Sequence, residues 1–377
     1  MPRLSAVLIV RDESAFLGNC LEALREVAQE LVVLDTGSED NTVEIAHAAG
    51  AVVGHRPWDH DFAAARNAAL ELATGDWVLY VDADERVAVH GELNGILEDE
   101  ELVAATVRFH AKRGLTAYAE PRLFRRRPEI RFRGVIHETI RYDLERAVEA
   151  GARVGVAPMT IQHLGYEGDR RRKFERDLPL LERAVLDQPT RIYLWHALGE
   201  ARRGLGRDLE ARAAWENGLD QVRSEAPRAL HVLIYADLIS LALDTGSPCL
   251  DLVDEASARH PDDPLITWLR ARRLATIGEG TAARAILARL ATLGPGDPDC
   301  ARIAYDEGLF THLAWALAGT TWLADGKPAR AAQELQRALD AIDPDEPPPG
   351  ATNLRAELEA KLALARAQHR AQDSSCP

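Results

Sequence analysis

Trp77-Val78-Leu79-Tyr80-Val81-Asp82-Ala83-Asp84-Glu85 is an apolar run that ends abruptly in three carboxylates. The apolar part reads as a strand. Residues i and i+2 of an extended chain share a face, so Asp82 and Asp84 are expected to point into one pocket. Hard carboxylate oxygens at a strand end suit Mg²⁺ or Mn²⁺, ions commonly held by one or two carboxylates plus the phosphates of a substrate. An isolated Asp-x-Asp is more often an acidic turn facing water. The upstream sequence favours the pocket.

Three apolar runs precede this one at intervals suited to alternating strands and helices. Leu4 to Val10 ends at Arg11-Asp12-Glu13, Leu31 to Leu34 ends at Asp35-Thr36-Gly37-Ser38, and Ala51 to Val53 is a shorter third. Between them, apolar spacing predicts helices over Ser14 to Val27 and Asn41 to Ala49, with Ser, Asp and Asn available as caps. Strands without polar alternation, joined by helical crossovers, indicate an α/β domain whose parallel sheet is buried on both faces. Ligands of such sheets sit outside the carboxyl ends of the strands. Asp12, Glu13, Asp35, Asp82 and Asp84 all fall on that edge.

Several stretches resemble the family 2 glycosyltransferases of the GT-A fold. They are Ala6-Val7-Leu8-Ile9-Val10-Arg11-Asp12-Glu13, the run Val33 to Thr42, Asp61-Phe62-Ala63-Ala64-Ala65-Arg66-Asn67, and Gly75-Asp76-Trp77 leading into Asp82-Ala83-Asp84-Glu85. Further on, Arg122-Leu123-Phe124-Arg125, Gly134-Val135-Ile136-His137-Glu138 and His163-Leu164-Gly165-Tyr166 are similar to the subgroup that carries a helical-repeat tail. The peptide S-glycosyltransferases that modify bacteriocin cysteines have this layout. One departure stands out: the family carries Asn where this chain has Asp12. An amide donates and accepts hydrogen bonds, whereas an ionised carboxylate only accepts.

The resemblance implies transfer of a sugar, in most relatives with inversion, from a nucleotide-diphosphate donor with the help of Mn²⁺ or Mg²⁺. In that reading Asp84 is the metal ligand, and Asp82 contacts the ribose or a metal-bound water. Asp35 accepts from the nucleobase, which favours uridine (UDP) donors, with Asp12 and Glu13 on the same donor side. Arg66 contacts the base or diphosphate, Arg122 grips a diphosphate or an acidic acceptor, and His137 and His163 complete the metal shell or bind the diphosphate. The acceptor needs its proton removed unless it arrives as a thiolate. Glu138 is the candidate base.

Other classes fit less well. Nucleotidyltransferases of the same architecture open with a Gly-rich loop and a basic residue after the first strand, where this chain has Arg11-Asp12-Glu13. Asp82 and Asp84 are too close in sequence to flank a glycosidic bond as a hydrolase pair does. A catalytically inactive repeat scaffold would not need the intact carboxylate set.

The 377 residues suffice for two domains, and a net charge of −15 argues against nucleic-acid binding. Arginines nevertheless cluster from Arg108 to Arg133 and again at Arg170-Arg171-Arg172. Cys20, Cys249, Cys300 and Cys376 lie far apart, with no pair at metal-ligand spacing, and read as small apolar residues or a tail thiol rather than disulfides. No leader peptide is visible and no apolar run approaches a membrane span, so a cytoplasmic protein, peripheral to the membrane if its acceptor is lipid-linked, is expected.

From about Lys173 the strand pattern stops, and Ala, Leu and Arg recur at helical spacing. Trp195, Leu198, Gly199, Ala211 and Trp215 fall at the offsets of a tetratricopeptide helix pair. Trp315, Gly319, Trp322, Ala331, Leu335 and Ala338 repeat the scheme, and Pro264 to Leu293 is a degraded copy. Breaks fall at Gly294-Pro295-Gly296 and from Asp345 to Gly350, with a capping helix from Asn353 to Gln372. Two domains are expected: a GT-A domain over 1–168 and a TPR-like, all-α repeat domain over 169–377. The repeats would bind a peptide, protein, glycan or lipid-linked acceptor, or join two copies as a homodimer.

Overall fold

The computed structural model describes residues 2–165, 170–294, 302–343 and 351–374. They fall into two compact units. One holds the described residues up to Lys112 with Tyr118–Pro189 and Gly204–Gly206; the other holds Arg113–Ala117, Thr190–Arg203 and the described residues from Arg207 onward. Gly168, the expected boundary, lies outside the described residues, as do Tyr166, Pro295-Gly296, Cys300, Asp345 to Gly350 and Cys376.

The first unit begins as the apolar runs dictate: β1 (Leu4–Val10), α1 (Leu17–Arg25), β2 (Glu30–Asp35), α2 (Thr42–Ala48), β3 (Val52–His55), α3 (Phe62–Leu72) and β4 (Trp77–Tyr80). It continues through β5 (Glu85–Val89), α4 (Asn94–Leu97), β6 (Leu102–His110), β7 (Tyr118–Arg125), α5 (Arg141–Glu149), β8 (Arg153–His163) and α6 (Arg170–Asp187). Helix α1 starts three residues later than its periodicity predicts. The Ser14 N–H is held by Asp40 at 3.1 Å and the Phe16 N–H by the Glu13 carbonyl at 3.0 Å, so these residues form a turn instead.

All eight strands join one sheet, in the order β3-β2-β1-β4-β7-β6-β8-β5. The expected parallel sheet is found in β3, β2, β1 and β4. Beyond them the sheet is mixed, because β7 is antiparallel to β4 and to β6, while β8 is parallel to β6 and antiparallel to β5. Consecutive in sequence, β4 and β5 are separated in the sheet by β7, β6 and β8. The residues between them therefore cross the carboxyl edge rather than turn back beside β4. That crossing carries Asp82 and Asp84.

Strand alternation sorts the core onto two faces. Leu4, Ala6, Leu8 and Val10 pack with Leu17, Cys20, Leu21 and Leu24 of α1. Val7, Val32 and Leu34 pack with Ala65, Ala69 and Leu70 of α3 and with Tyr80, Phe124 and Phe132. Each fully buried leucine contributes roughly 1.5–3 kcal/mol, which fixes the helices on the faces and leaves the strand ends for polar groups.

In the second unit, α7 (Ile192–Gly204), α8 (Asp208–Ser224), α9 (His231–Thr245), α10 (Leu250–Arg259), α11 (Pro264–Thr276), α12 (Gly280–Leu290), α13 (His312–Ala324), α14 (Pro328–Asp340) and α15 (Ala351–Ser374) pack largely against sequence neighbours. The predicted small residues lie where helices meet. A Cβ on Gly199 would sit 2.0 Å from the indole nitrogen of the buried Trp215, and one on Gly319 would sit 2.7 Å from Leu335. Cys20 and Cys249 are buried and free, as expected of small apolar residues. No described helix is long and apolar enough to cross a membrane.

Candidate active site

The loops after β1 and β2 are laced together by short polar side chains. Asp12 has a φ of +55°, a left-handed conformation in which Asn and Asp are several-fold enriched among non-glycine residues. Its N–H donates to Ser38 Oγ at 2.9 Å, and its Oδ1 accepts the Glu39 N–H at 2.7 Å. Only an acceptor is required there, so Asp serves where the family carries Asn. Glu13 N–H donates to Thr42 Oγ1 at 2.7 Å, and Asp40 accepts from the Thr42 amide at 3.0 Å. Asp35, at the end of β2, is buried and accepts the Gly37 and Ser38 amides at 3.1 Å, with His55 Nδ1 at 3.5 Å. Burial pushes the Asp35 carboxyl up, but these bonds prevail and hold it below the usual range.

The first unit's edge then gathers two buried arginines around one ring. Arg122 Nη2 and Nη1 fork onto Glu85 at 2.8 and 3.2 Å, and the guanidinium lies 4.5 Å from the Tyr80 ring centre and 4.6 Å from that of Phe109. Glu85 is fully buried and also accepts the Asp82 N–H at 2.9 Å. Arg122, expected at a diphosphate or an acidic acceptor, is thus enclosed and paired bidentately with a carboxylate. Much of the remaining basic run is similarly tied down. Arg125 bonds to the Leu102 and Asp99 carbonyls and stacks on Trp77, Arg126 bonds to the Gly75 carbonyl, and Arg133 pairs with Asp143 at 2.8 Å.

Arg66 lies on the buried face of α3, whose first turn is capped by Asp61 accepting the Ala64 N–H at 2.9 Å. Its Nη2 donates to Asp82 Oδ1 at 2.5 Å and its Nε to Glu138 Oε1 at 2.7 Å. The guanidinium expected to meet the nucleotide therefore joins two candidate site carboxylates. Burial would raise Asp82, but Arg66 and then Arg122 hold it at about 2, although 37% of its side chain remains open. Beside Arg66, Asn67 bonds both ways to the backbone of Phe132, Nδ2 to the carbonyl and Oδ1 from the N–H, each at 2.9 Å. Phe132 leads into a short loop closed by reciprocal Arg133–Thr139 backbone bonds of 3.0 and 3.1 Å. Glu138 and the half-buried His137, at a φ of +51°, lie on that loop.

Asp84 is paired differently from Asp82. His163, the last residue of β8, brings Nε2 within 3.2 Å of Asp84 Oδ2, and the Leu164 N–H donates to the Asp84 carbonyl at 2.8 Å. A Cβ on Gly165 would fall 1.8 Å from that same carboxylate oxygen, so any larger residue there would have to displace the Asp84 carboxylate. Burial, and then the Asp84, Asp82, Asp40 and Asp12 charges, push Glu13 up to about 7. Desolvation likewise raises Asp84 and lowers His163.

The predicted metal set Asp82, Asp84, His137 and His163 does not converge. Among the described residues no three His, Cys, Asp or Glu side chains meet as a ready-made cage. Instead Asp82 is taken by Arg66, and Asp84 stands with His163. This donor pair fits an ion that takes its remaining ligands from water and substrate phosphates, and the carboxylates of Asp12, Asp40, Asp82 and Asp84 near Glu13 fit a cation. Three residues not expected from the sequence emerge: Asn67, Glu85 and Gly165. Arg66 and Asn67 carried a readable sign, as consecutive polar residues in a helix whose other residues, Glu71 apart, are apolar.

Residues 5–151 match the model of Glycosyl transferase family 2. A TPR repeat-containing protein of Synechococcus elongatus is 40% identical over 246 residues, 62% of this chain and 60% of its own. The SPbeta prophage-derived glycosyltransferase SunS of Bacillus subtilis is 25% identical over 222 residues, 56% of this chain and 51% of its own. The chain thus spans between half and two thirds of the length of these curated relatives. Glucosyl-3-phosphoglycerate synthase from Mycobacterium tuberculosis, in complex with Mg²⁺ and uridine diphosphate, is 24% identical, with a TM-score of 0.25 over 29% of this chain and 44% of its own. Residues 5–151 are thus similar to family 2 glycosyltransferases, and a helical region follows them.

Proposed function

We propose that this glycosyltransferase-like domain transfers a sugar from a nucleotide-diphosphate donor, of the UDP class, to a nucleophilic acceptor, with inversion. The observation that carries the reading is Asp84 beside His163 at the edge reached by β1, β2 and β4, where burial and then the neighbouring carboxylates push Glu13 up to about 7. Asp84 with His163 would hold a divalent ion, Mn²⁺ or Mg²⁺, which when bound screens the charge that develops on the leaving diphosphate. Asp35 orients the nucleobase, while Asp12 and Glu13 shape the donor side of the same edge. Asp82, fixed by Arg66, faces the ribose. Glu138 has Oε1 committed to Arg66 Nε, which leaves Oε2 to take the acceptor's proton. His137 lies on the acceptor side, beside Glu138. The helical unit serves acceptor recognition or self-association.

The test is donor hydrolysis with Mn²⁺ across a panel of nucleotide-sugars, followed by transfer to candidate acceptors. Asp84→Ala should reduce both by about 10²–10³-fold, the scale of one lost electrostatic contact in a water-poor site. Full activity in excess chelator, or in that variant, would overturn the reading.

A further inference from the structure

We infer that Asn67 and Arg66 are a pair of positioning residues by which α3 splints the loop Phe132 to Thr139 onto the Asp82-Ala83-Asp84 crossing; this rests on the function proposed above. Two adjacent side chains of one helix do the joining. Asn67 grips the Phe132 backbone through both of its amide atoms at 2.9 Å, as a neighbouring strand would. Arg66 spans Glu138 and Asp82 with two different nitrogens, at 2.7 and 2.5 Å, and its guanidinium lies over Phe132 and Tyr80, 5.7 and 5.1 Å from the ring centres. A third tie, Phe62 N–H to the Val135 carbonyl at 3.0 Å, anchors the loop's middle to the start of the same helix.

The chemistry of each residue explains why no simpler one serves. Asn carries a donor and an acceptor on one short planar group, so it satisfies an N–H and a carbonyl of one residue together. Arg presents several donors in a rigid fork and stays charged when buried, whereas Lys offers one compact charge that cannot hold two carboxylates at fixed separation. Arg66 is 6% exposed, too enclosed for the nucleotide contact expected of it. Held this way, the loop bearing Glu138 keeps its register with the crossing that bears Asp82 and Asp84. The acceptor-side and donor-side groups are set before any substrate arrives.

Two arms test this on the full chain. Backbone amide exchange needs no ligand: Asn67→Ala should speed exchange across residues 132–139 by about tenfold or more while β1 and β2 keep their protection. Unchanged protection of that loop would overturn the splint. Should Asn67→Ala not fold, Asn67→Asp serves, since it keeps the acceptor for the Phe132 N–H and loses the donor to its carbonyl. The second arm is a double-mutant cycle. Asn67→Ala should lower kcat for transfer by about 10-fold or more with donor KM within twofold, and should cost less than threefold further in a Glu138→Gln background, because it acts through that residue. Fully multiplicative losses would overturn it, as would Arg66→Lys at wild-type kcat. A wild-type protein without transfer or donor hydrolysis would count against the proposed function, and the exchange arm would still decide the splint.

Discussion

Gly165→Ala isolates the position of the Asp84 carboxylate from its presence. The added methyl would fall 1.8 Å from Oδ2, 2.7 Å from Cγ and 3.1 Å from Cβ of Asp84, where ordinary contact begins at 3.4 Å. The carboxylate must therefore retreat by about 1.6 Å, or the two segments must part. Parting is opposed by the Leu164 N–H to Asp84 carbonyl bond of 2.8 Å and by the pairing of His163 with Glu85 in the sheet. Rotation of the Asp84 side chain is the cheaper response, and it costs the His163 contact. Because the yielding atoms are the far end of a part-buried side chain rather than backbone, stability should change by only about 0.5 kcal/mol. Function should not be spared, since a misplacement of about 1 Å at a reacting centre can cost about 10²-fold. Gly165→Ala is thus expected to unfold within a few degrees of wild type, to bind Mn²⁺ more weakly by calorimetry, and to lose about 10²-fold in kcat for donor hydrolysis. Wild-type turnover and Mn²⁺ affinity in a correctly folded variant would refute the assignment of Asp84.

Two further outcomes concern the helical unit. His196 Nδ1 lies 2.6 Å from Asp237, and although burial opposes its charge, Asp237 raises it to about 9. Its folded value exceeds the unfolded one of 6.5, so the histidine's contribution, at most about 3 kcal/mol and offset in part by the burial that raises Asp237, is complete below pH 6.5 and lost as pH rises through 9. Chemical denaturation at pH 6.5 and 9.5 should show that loss, and Asp237→Asn should flatten it; an unchanged profile in the variant would assign the pH dependence elsewhere. Gly199→Ala forces a methyl against the indole of the buried Trp215, at 2.0 Å, and should destabilise by about 1–3 kcal/mol, the range for overpacked cores. A melting temperature equal to wild type would show that the helix pair relaxes without cost.

The sequence alone determined the parts of this protein that depend on local pattern. Unbroken apolar runs gave β1, β2 and β4, because a strand buried on both faces admits no polar alternation. Asp35, Asp82 and Asp84 lay at or just beyond the ends of β2 and β4 in the quoted motifs, as found, and the small residues of α7 and α13 lay at the spacing that close helix contact requires. Only the tertiary structure decided which charges meet. Arg66 and Glu138 are 72 residues apart, and Arg122 and Glu85 are 37 apart. In the sequence, Arg122 is one arginine among many between Arg108 and Arg133, and nothing local says which will be buried beside a carboxylate. The order β7-β6-β8-β5 was equally unreadable, since antiparallel pairing and the crossing from β4 to β5 follow from long-range contacts, not from residue periodicity. That order carries His163 to Asp84, while α3 brings Arg66 between Asp82 and Glu138: the sequence supplied the charged groups, and the topology of the sheet paired them.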